Sequence, residues 1–284
     1  MSNISLTASM RSNLLSLQNT AKLMDQTQER LSTGKKVNSA IDNPSSYYTA
    51  QALTNRAGDL GALLDSMGQA ISTIKAADEG IEAITSFVEQ AKAVATSALD
   101  TKDSEERAKY MAQFNEIKNQ IDNVAKDSGY KGVNLINGDG LTVTFNEDRT
   151  SDIVIAAKDA TTEGLGIAVG ADWGKVADAE DGPTADEIAA QETAIKAAIE
   201  DVSDAIGALR TMASELGNYY SIVETRESFT ENLINVLEEG ADKLTLADMN
   251  EESANMLALQ TRQQLAINSL SLASQASQSV LQLF

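Results

Sequence analysis

The chain has 284 residues, 42% of them hydrophobic but only 4% aromatic, with two prolines, so a core must come from Leu, Ile, Val, Met and Ala packed helix on helix. A net charge of −20 repels a phosphate backbone and an anionic membrane surface, which excludes nucleic acid as a partner and disfavours peripheral membrane binding. Cysteine and histidine are both absent, which removes disulfides, thiolate chemistry, the usual general base and the commonest metal ligand.

The first element is a helix. Met10, Leu14, Leu17, Ala21, Met24, Gln28 and Leu31 recur by fours and threes and form one seam, and Gly34 supplies a stop. "KKVNSAIDNPSSYY" follows, in which Asn38, Asp42 and Pro44 predict an ordered but irregular connector. A second helical period starts near Leu60 and runs through Met67, Ile74, Ile84 and Val88 to Ala98, with Asp78-Glu79-Gly80 as its weak spot. Asp103 and Glu106 have capping-box spacing ahead of a third helix carrying Met111, Phe114, Ile117, Ile121 and Val124, ended by Gly129 and Gly132.

The period then changes from four-three to two. Leu141, Val143 and Phe145 alternate, "NEDRTSD" turns, and Ile153 and Ile155 alternate again, predicting a β-hairpin over about 141–158. Residues 160–183, Gly- and Asp-rich around the single Trp173, read as loop. Thr184 and Glu187 form another capping-box pair, opening a long stripe from Ile188 through Ile195, Val202, Leu209 and Leu216 to Val223. It continues in a shifted phase through Phe229, Leu233 and Val236 to Gly240. A last helix carries Met249, Met256, Leu259, Ala266, Ile267, Leu270, Ala273, Val280, Leu281 and Phe284. The fold class is mainly α: long antiparallel helices in a coiled-coil-like bundle with one β-hairpin.

Charge is distributed unevenly. Residues 1–45 and 253–284 together hold six Lys or Arg against three Asp or Glu, net +3; of the 22 and 42 in the whole chain this leaves 16 against 39, net −23, for the middle. The last 32 residues contain a single charged side chain, Arg262. In an intramolecular bundle each helix shows water a charged face, whereas this one has almost none to show. A surround of like copies fits it better, and apolar seams that associate head to tail without closing grow a helical filament.

"LSTGKKVNSAIDNPSSYYTAQAL" resembles the N-terminal signature of bacterial flagellins, and "LADMNEESANMLALQTRQQLAINSLSLASQASQSVLQLF" is similar to their C-terminal signature. The likeness covers about residues 1–140 and 185–284. It implies a filament subunit for swimming motility, exported to the cell exterior by the flagellar type III route without a cleaved signal peptide. Its implied partners are itself, sister flagellins, an export chaperone, and the filament cap and junction proteins; no cofactor, metal, nucleic acid or membrane insertion is implied.

In the family the terminal arms form an inner tube and the next helices an outer tube. The resemblance thus implies inner-tube segments 1–45 and 245–284 and an outer-tube domain 46–244, with subunit packing through Met10, Leu14, Leu17, Ala21, Met24, Leu31, Met256, Leu259, Ile267, Leu270, Val280, Leu281 and Phe284. Residues 160–183 are too short for the usual outer domains, which predicts a minimal form. A metallopeptidase insert built on paired histidines is excluded, since the chain has none. Where flagellins detected by the vertebrate Toll-like receptor carry an Arg and, four residues on, a Leu, this chain has Glu89 and Ala93, and Gln120 stands where a partner acid is expected. The resemblance implies weak receptor signalling, readable as a poor response in a reporter-cell assay.

Two other readings remain open at this level. A hook–filament junction protein of the same superfamily shares the terminal pattern, and a soluble coiled-coil binding module shares the stripes. Catalysis has little support, because Asp78-Glu79 and Glu251-Glu252 are the paired acids of ordinary solvated helix faces.

Overall fold

The computed structural model describes residues 8–174 and 184–282, apart from the side chains of a few positions near the ends. Five helices and one hairpin follow in the order α1 (Ala8–Thr33), α2 (Pro44–Asp100), α3 (Ser104–Asp127), β1 (Leu141–Thr144), β2 (Asp152–Ile155), α4 (Ala185–Thr245) and α5 (Met249–Gln282). They divide into two compact units, one of residues 1–57 with 235–284 and one of residues 58–234.

The helix starts have local causes. Pro44 opens α2, where its missing N–H costs nothing, and the Asn43 side chain accepts the Ser46 amide at 3.1 Å. This corrects the expected start near Leu60 and moves Pro44 out of the irregular connector, because a proline at the first helical position initiates a helix. Asp103 caps α3 by accepting from the Glu105 amide at 2.9 Å. The expected box does not close there, since Glu106 accepts from the Thr101 hydroxyl at 3.0 Å instead. At α4 the box is reciprocal: Glu187 Oε2 accepts from the Thr184 amide at 2.7 Å, and the Glu187 amide donates to the Thr184 hydroxyl at 3.4 Å.

Two interior glycines do not stop their helices. α4 passes through Gly240 to Thr245, where a stop was expected. α2 is continuous through Gly80, where a Cβ would lie 2.3 Å from Ser128 Oγ and 2.8 Å from Ile136 Cδ1. Gly80 thus lets the C-terminal end of α3 and its following turn sit against α2.

The core of the 58–234 unit takes Met67, Ile74, Ile81, Ile84 and Val88 from α2, Phe114 and Ile121 from α3, and Ile195, Val202, Leu209 and Val223 from α4. The hairpin is antiparallel with Leu141 opposite Ile155 and Thr144 opposite Asp152. Val143, Phe145 and Ile155 face this core while Val154 is exposed, as a period of two requires. Asn134 joins α3 to the hairpin. Its side-chain amide donates to the carbonyls of Ala125 and Lys126, which would otherwise be orphaned at the helix end, and its oxygen accepts from the Ile136 amide.

Residues 161–174 have no regular structure but are packed. Thr162 donates through its amide and hydroxyl to Asp122, Asn115 exchanges two 2.9 Å bonds with Gly170, and Lys118 Nζ donates to the Ile167 carbonyl at 2.7 Å. Burial pushes the Lys118 ammonium below the ordinary lysine range, against the pull of Asp122 and Asp201. Trp173 ends the run buried, its ring centroid 4.8 Å from that of Phe114. The remainder of the expected loop, residues 175–183, lies outside the described residues. Arg107 is also buried and donates to the Thr101 carbonyl, Gln191 and Glu192, so its charge is hydrogen-bonded.

Candidate assembly surface

In the unit of residues 1–57 and 235–284, α1 packs along α5 with Cα atoms approaching within 8 Å, the most extensive close approach of two helices among the described residues. The positions α1 buries are Met10, Thr20 and Thr27, and Thr20 satisfies its hydroxyl on the Ser16 carbonyl at 2.9 Å. Ala266 and Ala273 of α5 are half-buried. Arg30, near the end of α1, pairs with Glu252, near the start of α5, at 2.8 Å, so the helices run in opposite directions. Glu252 is buried, and its charge is matched by that guanidinium.

The pair closes on one apolar row of each helix and leaves a second row outside. Leu15 and Leu23 of α1 and Leu257, Leu265, Ile267 and Leu272 of α5 are exposed, several above 60%. Of the sixteen large apolar side chains exposed among the described residues, twelve lie in residues 1–57 and 235–284 and four in residues 58–234. Exposed apolar side chains concentrated in this way on one helix pair mark an interaction surface.

The expected packing residues divide between the two faces. Met10 is buried, while Leu17, Ala21, Met24, Leu31, Met256, Leu259 and Leu270 are half-buried. Leu14 is 37% exposed and Ile267 51% exposed. Phe284 and the side chains of Val280 and Leu281 lie outside the described residues. The four-three seam does not include Leu15, Leu23, Leu257, Leu265 and Leu272; their signal in the amino-acid order is a second apolar row, offset from the first and seven or eight residues apart within each helix.

The two chain crossings of this unit are bonded to each other. Gly34, at φ +71°, ends α1 with its amide on the Arg30 carbonyl. Lys36 and Val37 donate their amides to the Thr245 carbonyl, and Ala247 donates to Gly34. Asn38 donates through its side chain to Thr33 Oγ1 at 3.0 Å, and the Asp42 carboxylate accepts from the amides of Ser39 and Asn38, each at 3.0 Å.

Those two amides hold the Asp42 carboxyl below its ordinary value. Because the folded value is depressed, the stabilisation is present above the ordinary carboxylate value and is lost as pH falls through the folded one. Acidification through that range is expected to speed exchange of the Asn38 and Ser39 amides, relative to their intrinsic rates, and the response should vanish in Asp42→Asn. Unchanged protection in acid would contradict the assignment.

Comparison with known proteins agrees with this architecture. The profile of the bacterial flagellin N-terminal helical region matches residues 4–140, and that of the C-terminal helical region matches residues 199–284. The chain belongs to the bacterial flagellin family. It is 31% identical to Flagellin FljM of Caulobacter vibrioides over 279 residues, and 30% identical to a flagellin of Brucella melitensis, with 95% of each chain covered in both cases. With Flagellin A of Rhizobium meliloti the identity is 24%, covering 95% of this chain and 96% of that one, and the alignment extends to 383 positions, well beyond the 284 residues here.

This flagellin is a filament structural subunit that lacks a large outer domain, and its family is structural rather than enzymatic. No helix among the described residues is long and apolar enough to cross a membrane. Glu89 and Ala93 lie on the exposed side of α2, and Gln120, exposed on α3, donates to Glu116 at 2.9 Å.

Proposed function

We propose that the α1–α5 pair forms the inner layer of the flagellar filament and that the remaining helices, with the hairpin, form its outer layer. The supporting observation is the concentration of uncovered leucines on a helix pair that has already closed along another row of apolar side chains. Copies packed side by side cover those faces, and the hydroxyl- and amide-rich remainder of α5 suits a polar, uncharged channel wall. The filament stands outside the cell, reached through the export channel with a chaperone's help, and the cap and junction proteins meet the same terminal helices. The residues carry no catalytic role.

Ile267→Asp is the direct test. A carboxylate forced into an apolar contact without a partner costs enough to raise the critical concentration for polymerisation about tenfold or more. The monomer's melting should be unchanged, since the side chain is half-exposed there. Polymerisation at the wild-type critical concentration would refute this face as a contact. Electron microscopy of material sheared from cells tests the role itself: a filament subunit dominates that material, whereas a junction protein, confined to one ring, is a trace component.

A further inference from the structure

The connector from α1 to α2 displays one aliphatic side chain almost without cover, Ile41 at 93% exposure. Single exposed apolar residues are common. What distinguishes Ile41 is the rigidity of its support. Asp42 binds the amides on the near side of the loop, the Ile41 amide itself donates to Ser39 Oγ at 3.3 Å, and the loop's stem is bonded to Thr245. A side chain held this way loses little further freedom on docking.

The same unit contains a groove of about 300 Å³. Val37, Ala50 and Ala241, all buried, line it, Tyr47 adds an aromatic wall, and its two charged groups, Lys35 and Asp242, are of opposite sign. The tip, residues 38–41, carries no charge, and the neighbouring Asp42 carboxylate is turned back onto the backbone. By contrast, the groove lined by Glu238, Glu239, Asp242 and Asp248 with Lys243 is strongly acidic and ill suited to an aliphatic knob.

We propose that Ile41 of one subunit seats in the Val37–Ala50–Ala241 groove of a second copy in the filament. The proposal rests on the filament reading, which supplies the occupant: copies of this chain are the neighbours of this unit, and knob and groove both belong to the unit that carries twelve of the sixteen exposed large apolar side chains. A knob and a groove at different places on one molecule make a heterologous contact, which propagates along a polymer instead of closing a dimer. The contact sets how one connector registers on the next.

Because the chain has no cysteine, cross-linking reads this contact without background. Subunits carrying I41C are mixed with subunits carrying T54C, which lies on the rim of the groove, then polymerised and oxidised. The expected result is a disulfide-linked dimer in mixed filaments that neither variant forms alone. Mixed filaments of normal yield without that dimer overturn the proposal. So does a dimer formed instead by I41C with G217C, whose position lines a separate groove of about 200 Å³ between Ile74 and Tyr220. A second arm uses I41D, which should raise the critical concentration about tenfold while leaving monomer circular dichroism and melting unchanged. A critical concentration equal to wild type overturns the contact. Failure of the wild type to polymerise alongside overturns the filament reading and this contact together, so the two failures are distinct.

Discussion

Deletion of residues 253–284 leaves a subunit whose middle unit melts as in the full chain but which forms no filaments. The deleted residues comprise all but the first turn of α5, so Met10, Thr20 and Thr27 of α1 lose their cover and no helix pair remains to present paired apolar faces. A lone amphipathic helix of the length of α1, 26 residues, is marginal in water without a packed neighbour, so α1 should fray as well. The core of the 58–234 unit draws on residues 67–223 and uses none of the deleted segment. Its thermal midpoint should therefore stay within a few degrees of the parent, since a change of about 1 kcal/mol moves a domain of this size by about 2–4 °C. Filaments of normal length from the truncated chain would contradict the inner-layer assignment.

Trp173→Ala is expected to cost about 3–5 kcal/mol of unfolding free energy, the range for removing a large aromatic from a closed site. Trp173 is only 1% exposed and lies against Phe114 at a 48° tilt. The chain beside it has no freedom to collapse into the space, because a Cβ on Gly174 would already lie 2.3 Å from the Ser104 carbonyl oxygen and the Ala108 nitrogen. Those are backbone atoms of α3, so Gly174→Ala should be harmful in its own right. Urea unfolding followed by circular dichroism measures the Trp173→Ala effect as a lowered midpoint with an unchanged slope. Trp173→Phe, which keeps an aromatic ring against Phe114, should recover part of the loss. A cost below about 1 kcal/mol would mean that the loop is not part of the cooperative core.

Both predictions concern places where the order of residues and the folded chain carry different information. The stripes in α2, α3 and α4, the reciprocal box at Thr184 and Glu187, and the alternation that points Val143, Phe145 and Ile155 the same way are all legible in the amino-acid order. Each depends on neighbours a few residues apart, and helical and strand periods are local properties of the chain. The lack of charge at the C-terminal end was equally plain, and with it the expectation of like neighbours. Pro44 misled because the same residue breaks a helix in the interior and starts one at its first position; only the Asn43 cap distinguishes the two.

Other features needed the tertiary structure. Glycine at 80 and 240 looks like a weak point until the chain packed beside it explains the missing side chain, as Ser128 does for Gly80. Nothing local in "TEGLGIAVGADWG" shows that Asn115, Lys118 and Asp122 bind it and that Trp173 is core, since its partners lie about fifty residues back on α3. The amino-acid order by itself determined that this protein is a set of long helices with oily, nearly uncharged ends. Which of their apolar rows closes on the partner helix, with Leu17, Met24, Met256 and Leu259 turned inward and Leu15, Leu23, Leu257 and Leu265 left outward, was decided by the tertiary contact of α1 with α5, because both rows have helical spacing and periodicity alone does not choose between them.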